Sequence, residues 1–305
     1  MSKLGLALGG GGARGLAHIG VLKVLDNEGI IPAAITGCSM GAVVGGLYAF
    51  YGNATPVEEF ILSAISHPKF ISLGIERFSD RGKSSDKSYF EQFFDYVGAK
   101  LQAIKSLSSL SYFDDEVTTA MYKMIPDVPL EKLKINFSAI ATDLNSGEEI
   151  NFTTGSLRNV IRASSAIPGI FPPVRCENYF LVDGSASESV PAGRVREIGA
   201  DRVLAIDVTR SLKVVTQPQS IFDILYRTED ITSFHLSTLR LQEADLIIRP
   251  DVRQQSWADF DKAEMIIAAG ETVAKENIRE IKKLAQRNSF LINIEHYMKK
   301  IKGDA

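Results

Sequence analysis

The chain has 305 residues, 45% hydrophobic and 23% charged, with 34 Lys plus Arg against 37 Asp plus Glu and a formal charge of −3. That length can close a substantial α/β core, and the balanced charge, with no basic run interleaved with aromatics, argues against a nucleic-acid partner. Two cysteines, Cys38 and Cys176, and the scattered His18, His67, His235 and His296 exclude a disulfide framework and a Cys/His metal cluster.

Residues 4–8 form a short apolar run that dissolves into Gly9 to Gly12, the pattern of a buried strand entering a loop rather than of a signal peptide. With the low cysteine count, this places the chain in the cytoplasm, with peripheral attachment to a membrane surface left open. Residues 16–28 carry apolar positions at helical spacing and end at Gly29. Residues 31–36 read as a second strand despite Pro32, and 40–51 as a helix buried on most faces. The uncharged stretch 35–51 approaches a membrane span in length, yet it contains a strand–turn–helix pattern and is read that way. Thr55, as cap, with Pro56, Glu58 and Glu59, opens a further helix.

Aromatic residues crowd the stretch 69–115. Phe90, Phe93, Phe94 and Val97 share one helix face there, either facing the core or forming a cap over an apolar acyl pocket. Strands are expected again at 135–141, around Glu149 to Phe152, at 180–182, 202–208 and 245–249, with helices at 156–166 and 261–288. Alternating strands and helices predict a mostly parallel sheet covered on both faces. The expected organisation is one α/β domain over 1–288, with an insertion at 69–115 and a C-terminal tail at 289–305.

Two glycine-rich motifs carry the chemistry. Gly37, Ser39 and Gly41 form G-x-S-x-G at a strand-to-helix junction, where a sharp turn needs small flanking residues and the helix N-terminus favours developing negative charge. Ser39 is therefore the candidate nucleophile, and neighbouring Cys38 a buried spectator. Gly9 to Gly12, with Ala13, Arg14 and Gly15, follow the first strand and can turn backbone N–H groups toward an oxyanion. Arg14 could hold that loop, meet an anionic head group or lie in solvent; His18 is read as packing. Gly10, Gly12 and Gly15 also fit the dinucleotide fingerprint G-x-G-x-x-G, so a dinucleotide-binding oxidoreductase is a rival, weakened because Ser39 stands beyond the second strand in place of a ribose-binding acid. A catalytically inactive, membrane-associated binding protein is a third reading. No histidine sits at a strand end, and the base is sought among Asp183, which precedes Gly184, and its competitors Asp143 and Asp207. Composition and spacing do not rank these three.

Four blocks in order resemble the patatin-like phospholipase family, in particular its bacterial cytoplasmic members of the neuropathy-target-esterase type. They are GGGARG at 10–15, GCSMG at 37–41, RASSAIPGIFPPV at 162–174 and DGS at 183–185. The resemblance implies a three-layer α/β sandwich that hydrolyses fatty-acyl esters of phospholipids or lysophospholipids without metal or cofactor. It further implies Ser39 as nucleophile, Asp183 as its only catalytic partner, and Gly10, Gly11 and Gly12 as the oxyanion hole, with Arg14 and Gly15 supporting that loop. The chain departs from the family pattern at Ser185, where Gly or Ala is usual.

Overall fold

The computed structural model describes residues 3–75, 110–209, 221–252 and 254–286. The aromatic face at Phe90, Phe93, Phe94 and Val97 and the expected tail at 289–305 lie outside these residues. Among the described residues eight strands form one sheet: β1 (Leu4–Leu8), β2 (Ala34–Cys38), β3 (Asn136–Asp143), β4 (Glu149–Phe152), β5 (Val174–Cys176), β6 (Tyr179–Asp183), β7 (Arg202–Ile206) and β8 (Leu246–Ile248). Their order is β5-β6-β3-β2-β1-β7-β8, with β4 also paired to β3. The run from β3 to β8 is parallel, and the pairings β3–β4, β3–β6 and β5–β6 are antiparallel. The sheet is thus mixed and mostly parallel, as the alternating pattern predicts.

Helices cover both faces. Those that matter below are α1 (Ala17–Asn27), α2 (Met40–Tyr51), α3 (Ala54–Ser66), α4 (Pro68–Ser72), α5 (Asp115–Tyr122), α6 (Leu157–Ser164), α7 (Arg194–Glu197), α8 (Ile221–Arg240), α9 (Ala263–Glu276) and α10 (Ile278–Gln286). Because side chains alternate along a strand, Leu4, Leu6 and Leu8 of β1 enter one core with α1, α2 and α9, while Ala7 enters a second core with Val190, Val195 and Val203. Every residue of β1, β2 and β7 is buried, the signature of strands covered on both sides. The result is an α/β sandwich of three layers.

Several boundaries differ from expectation. The first helix begins with a tight turn at Gly12–Leu16 before α1. Asn53, not Thr55, caps α3, its side chain accepting the Thr55 N–H at 3.0 Å. The single long helix expected at 261–288 is divided at Asn277, whose side chain turns back onto the Val273 carbonyl at 2.8 Å. Strand β5 and helix α8 carried no signal that the sequence reading picked out. No described helix is long and apolar enough to cross a membrane.

Helices α1 and α9 approach through glycine. A Cβ on Gly20 would lie 2.0 Å from the Ile267 carbonyl oxygen, and one on Gly270 would lie 1.9 Å from that of Ala17. Both opposing groups are backbone, so a methyl group can be accommodated only by separating the helices. Gly270→Ala is expected to destabilise the protein by about 1–3 kcal/mol, an overpacking effect read from urea unfolding midpoints.

Candidate active site

The chain leaves β1, forms β2 and β3 on one side, then returns to place β7 on the other side of β1. Such a reversal opens a crevice at the carboxyl ends of the central strands, where sheets of this kind hold ligands. β1 and β2 end there together, Leu8 level with Gly37, and each delivers one of the two glycine motifs into the crevice.

Ser39 joins β2 directly to α2 with φ 52° and ψ −121°, a conformation unusual for a residue with a side chain. Holding it there costs of order 1–3 kcal/mol. The glycines on either side make the turn possible. A Cβ on Gly37 would stand 2.4 Å from the Gly41 carbonyl oxygen, and one on Gly41 would stand 2.1 Å from that of Leu8. The Ser39 N–H is held by the Ser164 hydroxyl at 3.0 Å, so the elbow is braced from α6 as well.

Ser39 Oγ donates to Asp183 Oδ2 at 2.5 Å. Both residues are buried, Asp183 almost completely at 1% exposure. The route by which Asp183 arrives differs from a simple parallel-strand end. β6 runs antiparallel to β3 and stops with Asp183 level with Ala141, while Ile140, the residue before it in β3, is level with Cys38. The chain then turns at once through Gly184, where a Cβ would meet the Ile140 carbonyl oxygen at 2.4 Å. Asp183 Oδ1 accepts the Ser185 N–H at 2.9 Å and the Ser185 hydroxyl at 2.6 Å, which leaves Oδ2 facing Ser39. Burial pushes the Asp183 carboxyl above the usual carboxylate range, against the opposing hydrogen bonds from Ser185, Ser39 and Cys38.

The competing acids are engaged elsewhere. Asp143 accepts the Phe180 N–H at 2.7 Å and both the N–H and hydroxyl of Ser146, which caps a turn. Those hydrogen bonds, led by that from Phe180, hold its carboxyl below the usual range. Asp207 accepts from the Thr209 N–H and hydroxyl and from Arg249 Nε at 2.9 Å. Neither is hydrogen-bonded to Ser39.

The glycine loop lies against Ser39: a Cβ on Gly10 would be 3.3 Å from Ser39 Cβ. Gly10 N–H donates to the Ser189 carbonyl at 2.9 Å, so of the three expected donors its amide is committed to holding the loop. Gly12 has φ 56° and presses on the Trp257 carbonyl, which also accepts the Ala13 N–H at 2.7 Å. Arg14 is buried beside Gly11 rather than solvated, and Gly15 packs against Met40 at the start of α2. His18 donates from Nε2 to the Gly9 carbonyl at 2.8 Å, and burial lowers its pKa to about 4, keeping the ring neutral. It therefore steadies the loop as well as filling the core. Cys38 is fully buried beside Asp183, and desolvation followed by that charge raises its thiol pKa well above the ordinary value. The thiolate that nucleophilic attack would require is strongly disfavoured.

A cavity of about 530 Å³ opens at Gly12 and Ser39 and extends between α2, α3 and α5, with Phe60, Ile61, Met121, Phe171 and Trp257 among its walls. Its size and apolar lining suit a hydrocarbon chain. Among the described residues no group of His, Cys, Asp or Glu is arranged to hold a metal.

The patatin-like phospholipase model matches residues 6–195. The chain is 32% identical over 209 residues to an uncharacterized NTE family protein of Mycobacterium tuberculosis, covering 68% of this chain and 50% of that protein. It is 23% identical over 305 residues to lysophospholipase nte1 of Neurospora crassa, covering 92% of this chain and 18% of that protein. Thus the chain spans about half the length of the first relative and a smaller part of the second. Among solved structures, VipD from Legionella pneumophila is 13% identical with a TM-score of 0.46, over 92% of this chain and 67% of that one.

Sequence reasoning did not single out Ser164, Ser189 or Trp257. Ser164 stood within the block 162–174, but nothing in its spacing showed that its hydroxyl accepts the Ser39 amide. Ser164→Ala would leave that buried N–H unbonded, and a loss of about 1–3 kcal/mol in unfolding free energy is expected by urea titration.

Proposed function

The chain belongs to the patatin-like phospholipase family, and on that footing we propose that it hydrolyses fatty-acyl ester bonds of phospholipids or lysophospholipids through a Ser39–Asp183 dyad. The observation that carries the reading is the buried 2.5 Å hydrogen bond from Ser39 Oγ to Asp183 Oδ2 at the mouth of an apolar cavity. Asp183 takes the Ser39 proton as Oγ bonds to the acyl carbonyl carbon, and the carbonyl electron pair moves onto oxygen. The N–H groups of Gly11 and Gly12 are the proposed donors to that oxyanion, with Gly10 anchoring the loop. Collapse expels the alcohol or lysolipid, which takes the proton from Asp183. Water then gives a proton to Asp183 and attacks the acyl-enzyme, and Ser39 leaves with the proton. Desolvation makes Asp183 a stronger base than an exposed carboxylate, which is what direct proton transfer without an intervening histidine requires. The proposed setting is the cytoplasm, with transient contact at a membrane surface to collect substrate.

The test is labelling with a fluorophosphonate, followed by peptide mapping and ester turnover. The native protein should form an adduct on Ser39 and protein denatured by heat beforehand should form none; a labelled residue elsewhere would sink the nucleophile assignment. Ser39→Ala should abolish turnover with the fold intact, and Asp183→Asn should lower kcat by about 10²–10⁴-fold.

The pH profile follows from the direction of the Asp183 shift. The base must be ionised to act, so kcat/KM should rise with pH through a value above the usual carboxylate range. Ser185 donates two hydrogen bonds to Asp183, both favouring the ionised form. Ser185→Gly removes the hydroxyl, raises the basicity of Asp183, and should move this acid limb to higher pH. A limb that stays in place or moves down would refute the tuning role of Ser185.

A further inference from the structure

Residues 183–189 connect the two halves of the site. Asp183 stands at one end; at the other, the Ser189 carbonyl holds the Gly10 N–H. Between them Thr142 Oγ1 bonds both the Asp183 carbonyl, at 3.3 Å, and the Ser187 hydroxyl, at 2.8 Å. This segment also carries Glu188, whose N–H donates to the Gly184 carbonyl at 2.8 Å and whose side chain is 1% exposed. The proposed reaction has no use for its charge.

Neither carboxyl oxygen of Glu188 receives a hydrogen bond from an N–H or O–H group. Arg194 Nε, on α7, stands 3.8 Å from Glu188 Oε2 and is bonded instead to Glu149 Oε1 of β4 at 2.5 Å. Glu149 Oε2 is likewise buried without a hydrogen bond, and Arg240 of α8 lies 4.0 Å from it. Glu197 holds the other side of the Arg194 guanidinium at 2.6 Å, and on β2 the Cys38 thiol, kept neutral by burial, feels the charge of both Glu188 and Glu149. Two buried carboxylates side by side, with unbonded oxygens, form an unstable pair. One proton held between them removes the repulsion and supplies the missing donor. Burial and then the Glu149 charge act in that direction, raising the Glu188 pKa to about 8 against the pull of Arg240 and Arg194.

We propose that Glu188 is a positioning residue for the dyad: it shares one proton with Glu149, and this carboxyl–carboxylate hydrogen bond seats residues 183–189 so that Asp183 meets Ser39 and Ser189 anchors the glycine loop. The proposal rests on the acyl-ester hydrolase reading. Loss of the proton sets two like charges together under the segment and loosens both ends at once. The acyl cavity is built chiefly on α2, α3 and α5, away from this pair, so the loss falls on kcat and leaves KM in place.

The experiment measures kcat and KM for an ester substrate across pH for the full-length wild type, Glu188→Gln and Glu188→Ala. The wild type should lose kcat near pH 8 with KM unchanged. Glu188→Gln, which keeps a neutral hydrogen-bond donor facing Glu149, should retain kcat at neutral pH and no longer show the alkaline fall. Glu188→Ala should lose about tenfold or more in kcat at neutral pH with little change in KM. Infrared difference spectra between wild type and Glu188→Gln at neutral pH should show a protonated carboxyl stretch that only the wild type carries. If Glu188→Ala does not fold, the Glu188→Gln profile and the spectra decide. An alkaline fall that persists in Glu188→Gln, a fully active Glu188→Ala, or no protonated carboxyl overturns the proposal. A wild type that neither turns over esters nor labels at Ser39 overturns the hydrolase reading, and the positioning role with it.

Discussion

Two side chains 144 residues apart in sequence meet in a buried hydrogen bond, and much of the architecture around the crevice follows from that requirement. The serine comes from a strand that ends at the carboxyl edge of the parallel sheet. Its partner comes from a strand running the opposite way beyond β3. Had β6 been one more parallel strand, its end would not have turned back across Ile140 toward Ser39. The change from parallel to antiparallel pairing at β3 is thus tied to the chemistry of the crevice.

This arrangement is costly in isolation. Ser39 is held at positive φ, Asp183 is desolvated, and the loop carries consecutive glycines whose backbone entropy is lost on folding. Hydrogen bonds from Ser185 and Ser39 oppose only part of the Asp183 desolvation. These costs are offset by strands buried on both faces and by a core that extends from β1 through α1 and α2 to α9 and α10. The bracing is specific as well as bulk: Ser164 holds the elbow, His18 and Trp257 hold the glycine loop, and Ser185 orients the acid. Each brace acts on a backbone group or a carboxylate oxygen, so each fixes position without supplying a reacting atom.

Much of the fold was legible in the sequence because β1, β2 and β7 are short, mostly apolar runs, as strands buried on both faces must be. Ser39 was legible because a sharp strand-to-helix turn imposes glycines at fixed offsets. Asp183 was not separable from Asp143 and Asp207 by local pattern, since all three follow apolar strands. What distinguishes them is which partners occupy their oxygens, a property of tertiary contacts; the family resemblance, not the spacing, favoured Asp183. Strand β5 was missed because it is three residues long and mostly half-exposed. The cap at Asn53 was missed because Thr55 and Pro56 carry the stronger local signal, whereas the cap is decided by whose side chain reaches the Thr55 amide.

The Trp257 carbonyl that grips Gly12 and Ala13 belongs to a stretch of chain beyond residue 195, where the family match ends. So does Ile206, which accepts the Gly9 N–H at 3.1 Å, and so does α9, which receives Gly20 of α1. The recognisable motif region is therefore not a transplantable unit. Its first glycine loop is clamped by backbone carbonyls that lie beyond residue 195. Because Ile206 and Trp257 hold the loop through backbone oxygens, a change of either side chain leaves both acceptors in place.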